Sequence, residues 1–201
     1  MKKLVYLISP NKIYDNFYDD LKKVLKIKNV KFFQLRIKNR KKNQIIKIAR
    51  KIKTITQSYN VKLIINDSSF IANKVKADGF HLGQSDEDII EARKYKNKII
   101  GITCHGSKKL AKEAIKNKVQ YIAFGSFFKS KLKPNAKKTN LSVLQWAKKN
   151  IKIPIVAIGG INDMNYKKLI NAGANYIAIS SFIWNNPVLK PEFAIKKFKW
   201  K

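Results

Sequence analysis

The sequence predicts a single (β/α)₈ barrel, one domain over residues 1–201. Short runs rich in β-branched and aromatic residues alternate with longer, lysine-studded segments of helical period. The alternation occurs eight times, whereas open doubly wound sheets usually have about five or six strands. Hydrophobic strands joined by helical crossovers form a parallel sheet buried on both faces, and eight such units in series favour closure into a barrel.

Each strand is expected where a short apolar run lies between turn residues. The runs are 3–9, 31–37, 62–66, 78–82, 99–103, 120–125, 153–158 and 175–180. The helices are expected between them, near 15–27, 40–58, 68–75, 86–96, 107–118, 140–150, 163–171 and 190–199. In the second helical segment one face is an apolar stripe, formed by Ile45, Ile48, Ala49, Ile52 and Ile55.

The composition is strongly basic, with 44 Lys and Arg against 12 Asp and Glu, a net charge of +32. Such a charge raises nucleic acid or an anionic membrane as a partner. Only four of the 44 are arginine and the lysines are scattered over the chain, whereas nucleic-acid sites usually cluster basic residues and use arginine. We therefore expect no specific nucleic-acid partner and interpret most lysines as solvated helix faces.

Two further observations bear on the environment of the protein. No apolar stretch approaches the ~18 residues of a membrane span, so we expect no membrane partner and a cytoplasmic location. The lone Cys104 excludes a disulfide framework within one chain and a cysteine-rich zinc site.

A barrel of this kind places its active site at the carboxyl ends of the strands. In the second strand Gln34, Arg36 and Lys38 alternate with Leu35 and Ile37, so the polar set should face the barrel mouth and the apolar pair the outer helices. An amide, a guanidinium and an ammonium together suit an anionic ligand. The alternative, an edge strand with a solvated face, fits a closed barrel poorly.

Two of the few acids follow adjacent strands, Asp67 after the third and Asp86 after the fourth. With a bound diphosphate they would suit Mg²⁺, which takes one or two carboxylates plus phosphate oxygens and water. Each also has a simpler interpretation: Asp67 as a helix N-cap and Asp86 as an acid favoured by the dipole of the following helix.

The two histidines are weaker candidates. His81 alternates with Phe80 and Leu82, which directs it into the barrel as a hydrogen-bonded structural residue. Cys104 and His105 are adjacent, and side chains of neighbouring strand-end residues diverge, so a nucleophile–base pair is not expected.

Glycines and hydroxyls follow the last three strands. The basic segment 125–134 suits either a mobile lid over phosphate or a plain solvated loop. Gly159-Gly160 after the seventh strand and Ser180-Ser181 after the eighth lie where such barrels commonly bind phosphate through backbone amides.

Seven segments in this order carry a resemblance to a known family. They are QLRIK at 34–38, LIIND at 63–67, DGFHLGQSD at 78–86, GITCH at 101–105, AFGSFF at 123–128, PIVAIGGI at 154–161 and IAISS at 177–181. Together they resemble the thiamine phosphate synthase family over nearly the whole chain. The resemblance implies a (β/α)₈ barrel that joins a pyrimidine diphosphate to a thiazole phosphate and releases pyrophosphate.

The resemblance also implies roles for individual residues. The pyrimidine diphosphate would be held by Gln34, Leu35, Arg36, Ile37, Lys38, Asn66 and Thr103. The thiazole phosphate would be bound by Gly160, Ile179 and Ser180, and the mobile phosphate loop would supply Ser130 and Lys133. Mg²⁺ would be bound by Asp67 and Asp86, and the catalytic residues would be Lys38, Thr103 and Lys133.

The phosphate loop departs from the family pattern, because Lys129 replaces a proline and Leu132 a hydroxyl residue. A related thiazole tautomerase shares the barrel, but the resemblance implies that it uses a histidine where this chain has Ser126. The tautomerase and a basic nucleic-acid-binding barrel are the alternative functions. The sequence leaves open the preferred thiazole form and whether the chain forms a homo-oligomer.

Overall fold

The computed structural model describes residues 4–95, 97–129 and 137–199. Eight parallel strands form a closed barrel in sequence order, each paired with the next and β8 with β1. The strands are β1 (Val5–Ile8), β2 (Val30–Leu35), β3 (Lys62–Asn66), β4 (Gly79–Leu82), β5 (Ile99–Thr103), β6 (Tyr121–Phe124), β7 (Ile155–Ile158) and β8 (Tyr176–Ile179). The predicted fold class is therefore confirmed.

The helices of the described residues lie between and after the strands. They are α1 (Phe17–Leu25), α2 (Lys42–Ser58), α3 (Ser69–Lys74), α4 (Ile89–Ala92), α5 (Lys108–Lys116), α6 (Ser142–Asn150), α7 (Tyr166–Ala172), α8 (Ser181–Trp184) and α9 (Pro191–Ile195). Residues 4–95, 97–129 and 137–199 contain no helix long and apolar enough to cross a membrane.

Two differences from the predicted elements concern the rim of the barrel. The helix predicted over 86–96 is only Ile89–Ala92, because the Asp88 side chain caps it by accepting a hydrogen bond from the Ile90 N–H at 2.6 Å. The preceding residues are thereby left in a loop that carries Asp86. Helix α8 was not predicted, because its four residues are too short to show a helical period.

The side chains form two apolar cores. The outer core lies between strands and helices, as expected for a sheet buried on both faces. The inner core fills the barrel below its mouth and consists of Tyr6, Ile8, Phe32, Ile64, Tyr121, Ala123, Val156 and Ala178. The inner core therefore forms the bottom of the cavity, and the polar residues at the strand ends form its walls.

Tyr121 crosses the barrel over a glycine. A Cβ added to Gly101 would lie 1.8 Å from Tyr121 Cζ, far inside van der Waals contact. We expect Gly101→Ala to lower the free energy of unfolding in urea by about 3 kcal/mol, the upper part of the range for overpacked cores.

The matched control is Gly106→Ala, where the added Cβ would meet the end of the Thr139 side chain, with Oγ1 at 2.9 Å. That side chain can rotate, so the expected loss is below about 1 kcal/mol. Equal losses in the two variants would contradict the assignment of Gly101 as a steric requirement of the inner core.

Candidate active site

The carboxyl ends of the strands surround a cavity of about 670 Å³. Ten of the residues predicted for the site line it: Gln34, Arg36, Lys38, Asn66, Asp67, Asp86, Thr103, Gly160, Ile179 and Ser180. Leu35 and Ile37 instead turn outward, Leu35 within the outer core and Ile37 packed against it. Their side chains therefore do not line the cavity. Ser130 and Lys133 lie outside the described residues.

The cationic side of the cavity is built on β2. The Arg36 backbone is fixed by Ser9, whose hydroxyl accepts from the Arg36 N–H at 2.9 Å and donates to the Arg36 carbonyl at 3.2 Å. The guanidinium Nη1 donates to Asn11 Oδ1 at 2.8 Å. Lys38 Nζ forms an ion pair with Asp67. Both cations are thus held in place at the cavity wall before any anion binds.

Neither acid serves as a simple helix cap. Ser68, not Asp67, caps α3 by accepting from the Ile71 N–H at 3.2 Å, and Asp88, not Asp86, caps α4. Asp67 has a left-handed backbone with φ of 63° and donates its N–H to the His81 carbonyl at 2.8 Å. Its carboxylate is consequently free of the helix and faces the cavity.

The two carboxylates interact with each other. Burial raises the pKa of Asp86, and although the Gly83 N–H opposes this from 2.5 Å, the neighbouring Asp67 carboxylate raises it further. Like charges at such a site favour a bound cation. The described residues contain no group of three or more His, Cys, Asp and Glu that could hold a metal. Two carboxylates with the remaining positions left to substrate and water fit Mg²⁺.

His81 points into the barrel, as predicted. The residue is 7% exposed, and its ring contacts Tyr121 Oη through Nδ1 at 2.9 Å and Thr103 Oγ1 through Nε2 at 2.8 Å. The predicted divergence of Cys104 and His105 is also confirmed. Cys104 lies in the outer core, where burial raises the pKa of its thiol to about 12, while His105 lines the cavity. They form no nucleophile–base pair.

The opposite side of the cavity is a backbone turn after β7. Gly160 has a φ of 61°, and a Cβ there would lie 2.3 Å from the Lys129 carbonyl oxygen. Next to it, Ser180 Oγ donates to the Ser9 carbonyl at 3.0 Å and Trp184 Nε1 donates to the Ile8 carbonyl at 2.7 Å, which fixes α8 against β1. A glycine turn at this position lets a phosphate group approach backbone N–H groups closely, as is common after β7 and β8 of such barrels.

The model of the family described as "Thiamine monophosphate synthase" matches residues 5–183. The chain belongs to this family. It is 54% identical to the thiamine-phosphate synthase of Pelagibacter ubique (strain HTCC1062) over 200 residues, covering 98% of this chain and 97% of the relative. It is 38% identical to the thiamine-phosphate synthase of Erythrobacter litoralis (strain HTCC2594), covering 90% of this chain and 88% of the relative.

A solved structure agrees with this assignment to the thiamine monophosphate synthase family. The thiamine phosphate pyrophosphorylase from Pyrococcus furiosus superposes with a TM-score of 0.87 at 28% identity, covering 97% of this chain and 93% of that one. A 3-hexulose-6-phosphate synthase, at a TM-score of 0.67 and 18% identity, shares the fold alone. The chain is accordingly an enzyme, a transferase of the thiamine-phosphate synthase type.

Several residues that line the cavity of this synthase were not among the predicted site residues. They are Ile8, Ser9, His81, Gly83, Gln84, Ser85, His105, Gly125, Ser126, Lys137, Ile158, Ile161 and Ala178, whereas Gly159 and Ser181, which also line the cavity, belong to the strand ends expected to bind phosphate. Ser9 directly follows β1, so applying the strand-end rule to the first strand would have found it. Gln84 Nε2 donates to the Thr103 carbonyl at 2.7 Å. Because this contact is to the backbone, no partner residue type in the sequence indicates it.

Proposed function

We propose that the chain condenses hydroxymethylpyrimidine diphosphate with thiazole phosphate, or its carboxylate, to give thiamine phosphate and pyrophosphate with the help of Mg²⁺. The observation that carries the proposal is the pairing of two anion sites in one cavity. Arg36 and Lys38 lie on one side and the Gly160 turn with Ser180 on the other. Ser9 contacts both sides, through Arg36 and through Ser180.

The residues support a dissociative substitution. Bound Mg²⁺, held by Asp67 and Asp86, would neutralise diphosphate charge. Arg36 and Lys38 bind the diphosphate, and Lys38 stabilises the negative charge that grows as the carbon–oxygen bond breaks and pyrophosphate leaves. The electron-rich aminopyrimidine stabilises the methylene cation, and the thiazole nitrogen attacks it with its lone pair. No protein nucleophile is needed, in accord with the buried, protonated Cys104.

The remaining roles follow from position. Gln34, Asn66 and Thr103 hold the pyrimidine, and the backbone at Gly160, Ile179 and Ser180 holds the thiazole phosphate so that its nitrogen faces the cation. Ser130 and Lys133 would contribute from the phosphate loop. Because both substrates carry phosphate and do not cross membranes freely, we assign the reaction to the cytoplasm.

A two-substrate assay tests the proposal. The purified chain with both substrates and Mg²⁺ is expected to form thiamine phosphate and one equivalent of pyrophosphate, both measured by chromatography. Omission of either substrate or chelation of Mg²⁺ should abolish the product. No product at saturating Mg²⁺ would overturn the proposal.

The tautomerase alternative is tested with the thiazole carboxylate phosphate alone. Ser126 stands where the resemblance implies a catalytic histidine, and its hydroxyl donates to the Phe128 carbonyl at 2.9 Å. We therefore expect no isomerisation when the pyrimidine is absent. Isomerisation without pyrimidine would favour the tautomerase.

A further inference from the structure

A hydrogen-bonded chain of side chains crosses the floor of the cavity. It runs from Tyr6 Oη to Tyr121 Oη at 2.7 Å, from Tyr121 Oη to His81 Nδ1 at 2.9 Å, and from His81 Nε2 to Thr103 Oγ1 at 2.8 Å. Thr103, at one end of the chain, lines the cavity. The buried chain therefore ends on a substrate-facing hydroxyl.

The middle of the chain is buried away from solvent. Tyr6 and Tyr121 are 2% and 1% exposed, and burial raises the pKa of both phenols, so each keeps its single proton. The His81 ring stacks on the Tyr121 ring, with an interplanar angle of 17° and centroids 5.6 Å apart. An unmade hydrogen bond at such a depth is costly, so every proton in the chain has a required acceptor.

This requirement leaves the chain two proton orders when the imidazole is neutral, because one ring nitrogen then donates and the other accepts. If Tyr6 donates to Tyr121, then Tyr121 donates to His81 Nδ1, and Nε2 donates to Thr103, whose own proton is free for the cavity. In the reverse order Thr103 donates to His81 Nε2, His81 Nδ1 donates to Tyr121, and Tyr121 donates to Tyr6.

The order of the protons decides what Thr103 presents to the cavity. In the first order its hydroxyl offers a donor, and in the second order it offers an acceptor. An aminopyrimidine carries ring nitrogens that accept and an amino group that donates, so its fit depends on which of the two Thr103 presents.

We propose that Tyr6, Tyr121 and His81 are positioning residues that fix, as one unit, whether Thr103 presents a donor or an acceptor to the pyrimidine. This inference rests on the proposed function, because it assigns the pyrimidine to this side of the cavity. It adds three residues that contact one another below the cavity and act through Thr103.

The test is Tyr121→Phe, which removes the central hydroxyl and keeps the ring. We expect kcat/KM for the pyrimidine diphosphate to fall at least about tenfold, the range for a lost buried hydrogen bond with its partners left unpaired. KM for the thiazole phosphate should stay within about twofold, since the thiazole side lies across the cavity. The matched control is Tyr176→Phe, in which the phenol packs against the same inner core and edge-on to Phe32 but lies outside the chain.

A double-mutant cycle separates positioning from a general loss of structure. If Tyr121 acts through Thr103, then Tyr121→Phe should cost much less in a Thr103→Val background than in the wild type. Full additivity, an effect equal to that of Tyr176→Phe, or equal losses for both substrates would overturn the inference.

Two further outcomes are distinguishable. If Tyr121→Phe fails to fold, Tyr6→Phe interrupts the same chain one bond farther away, and the same pyrimidine-specific loss is expected. A wild-type chain that makes no thiamine phosphate overturns the proposed function itself. An active wild type with an unaffected Tyr121→Phe overturns the chain alone.

Discussion

Asp86→Asn is expected to lower kcat by about a hundredfold, because a bound metal contributes several kcal/mol of charge stabilisation at a transferring phosphate. The substitution keeps the shape of the side chain and an acceptor for the Gly83 N–H. It removes one of the two carboxylates that fit Mg²⁺. Steady-state rates over a Mg²⁺ titration measure the effect, and the half-saturating Mg²⁺ concentration should rise.

Asp88→Asn is the matched control, because Asp88 lies two residues along the same loop and caps α4. Asparagine is as good a cap as aspartate, so both stability and Mg²⁺ dependence should stay close to wild type. The metal assignment would be wrong if Asp86→Asn and Asp88→Asn showed the same Mg²⁺ dependence.

Gly160→Ala is expected to lower kcat/KM for the thiazole phosphate by about a hundredfold, the cost of an approximately 1 Å misplacement in an active site. The left-handed φ of 61° disfavours alanine, and the added Cβ would press on the Lys129 carbonyl oxygen at 2.3 Å and the Phe128 carbonyl carbon at 2.8 Å. Both neighbours are backbone, so the turn itself must move. KM for the pyrimidine diphosphate should change far less.

Gly173→Ala provides the comparison, since Gly173 also has a positive φ, of 120°, but it ends α7 away from the cavity. It should lower the melting temperature without a specific effect on the thiazole phosphate. If both variants lose stability and neither alters kcat/KM for the thiazole phosphate, Gly160 does not belong to a phosphate site.

The barrel could be predicted because its signals are local. Buried parallel strands are short apolar runs, and helices such as α2 show an apolar stripe with lysines on the other face. Because barrels have their active sites at the carboxyl ends of the strands, the sequence also predicted that five polar residues lie at one rim, as they do in the structure: Gln34, Arg36, Lys38, Asp67 and Asp86. Alternation along β2 also predicted that Leu35 and Ile37 face outward.

Other features depend on contacts that one segment alone does not reveal. Tyr6 and Tyr121 are 115 residues apart, and as isolated strand residues each resembles an ordinary core aromatic. Ser68 and Asp88 supply the helix caps, whereas the sequence also allowed Asp67 as an N-cap and Asp86 as an acid favoured by the helix dipole. The distinction depends on backbone dihedral angles that only the folded chain sets.

The pairing of β1 with β8 determines when, during its synthesis, the chain can first become catalytically active. Ser9 contacts Arg36 on β2's side and Ser180 on β8's side, and Leu7 pairs with Ile179. A nascent chain that has already exposed Arg36, Lys38 and both acids therefore still lacks the wall at which we propose that the thiazole phosphate binds. Because this closing pair has the longest sequence separation in the barrel, it forms slowly, and the ability to join two substrates arises only when the eighth strand leaves the ribosome and meets the first.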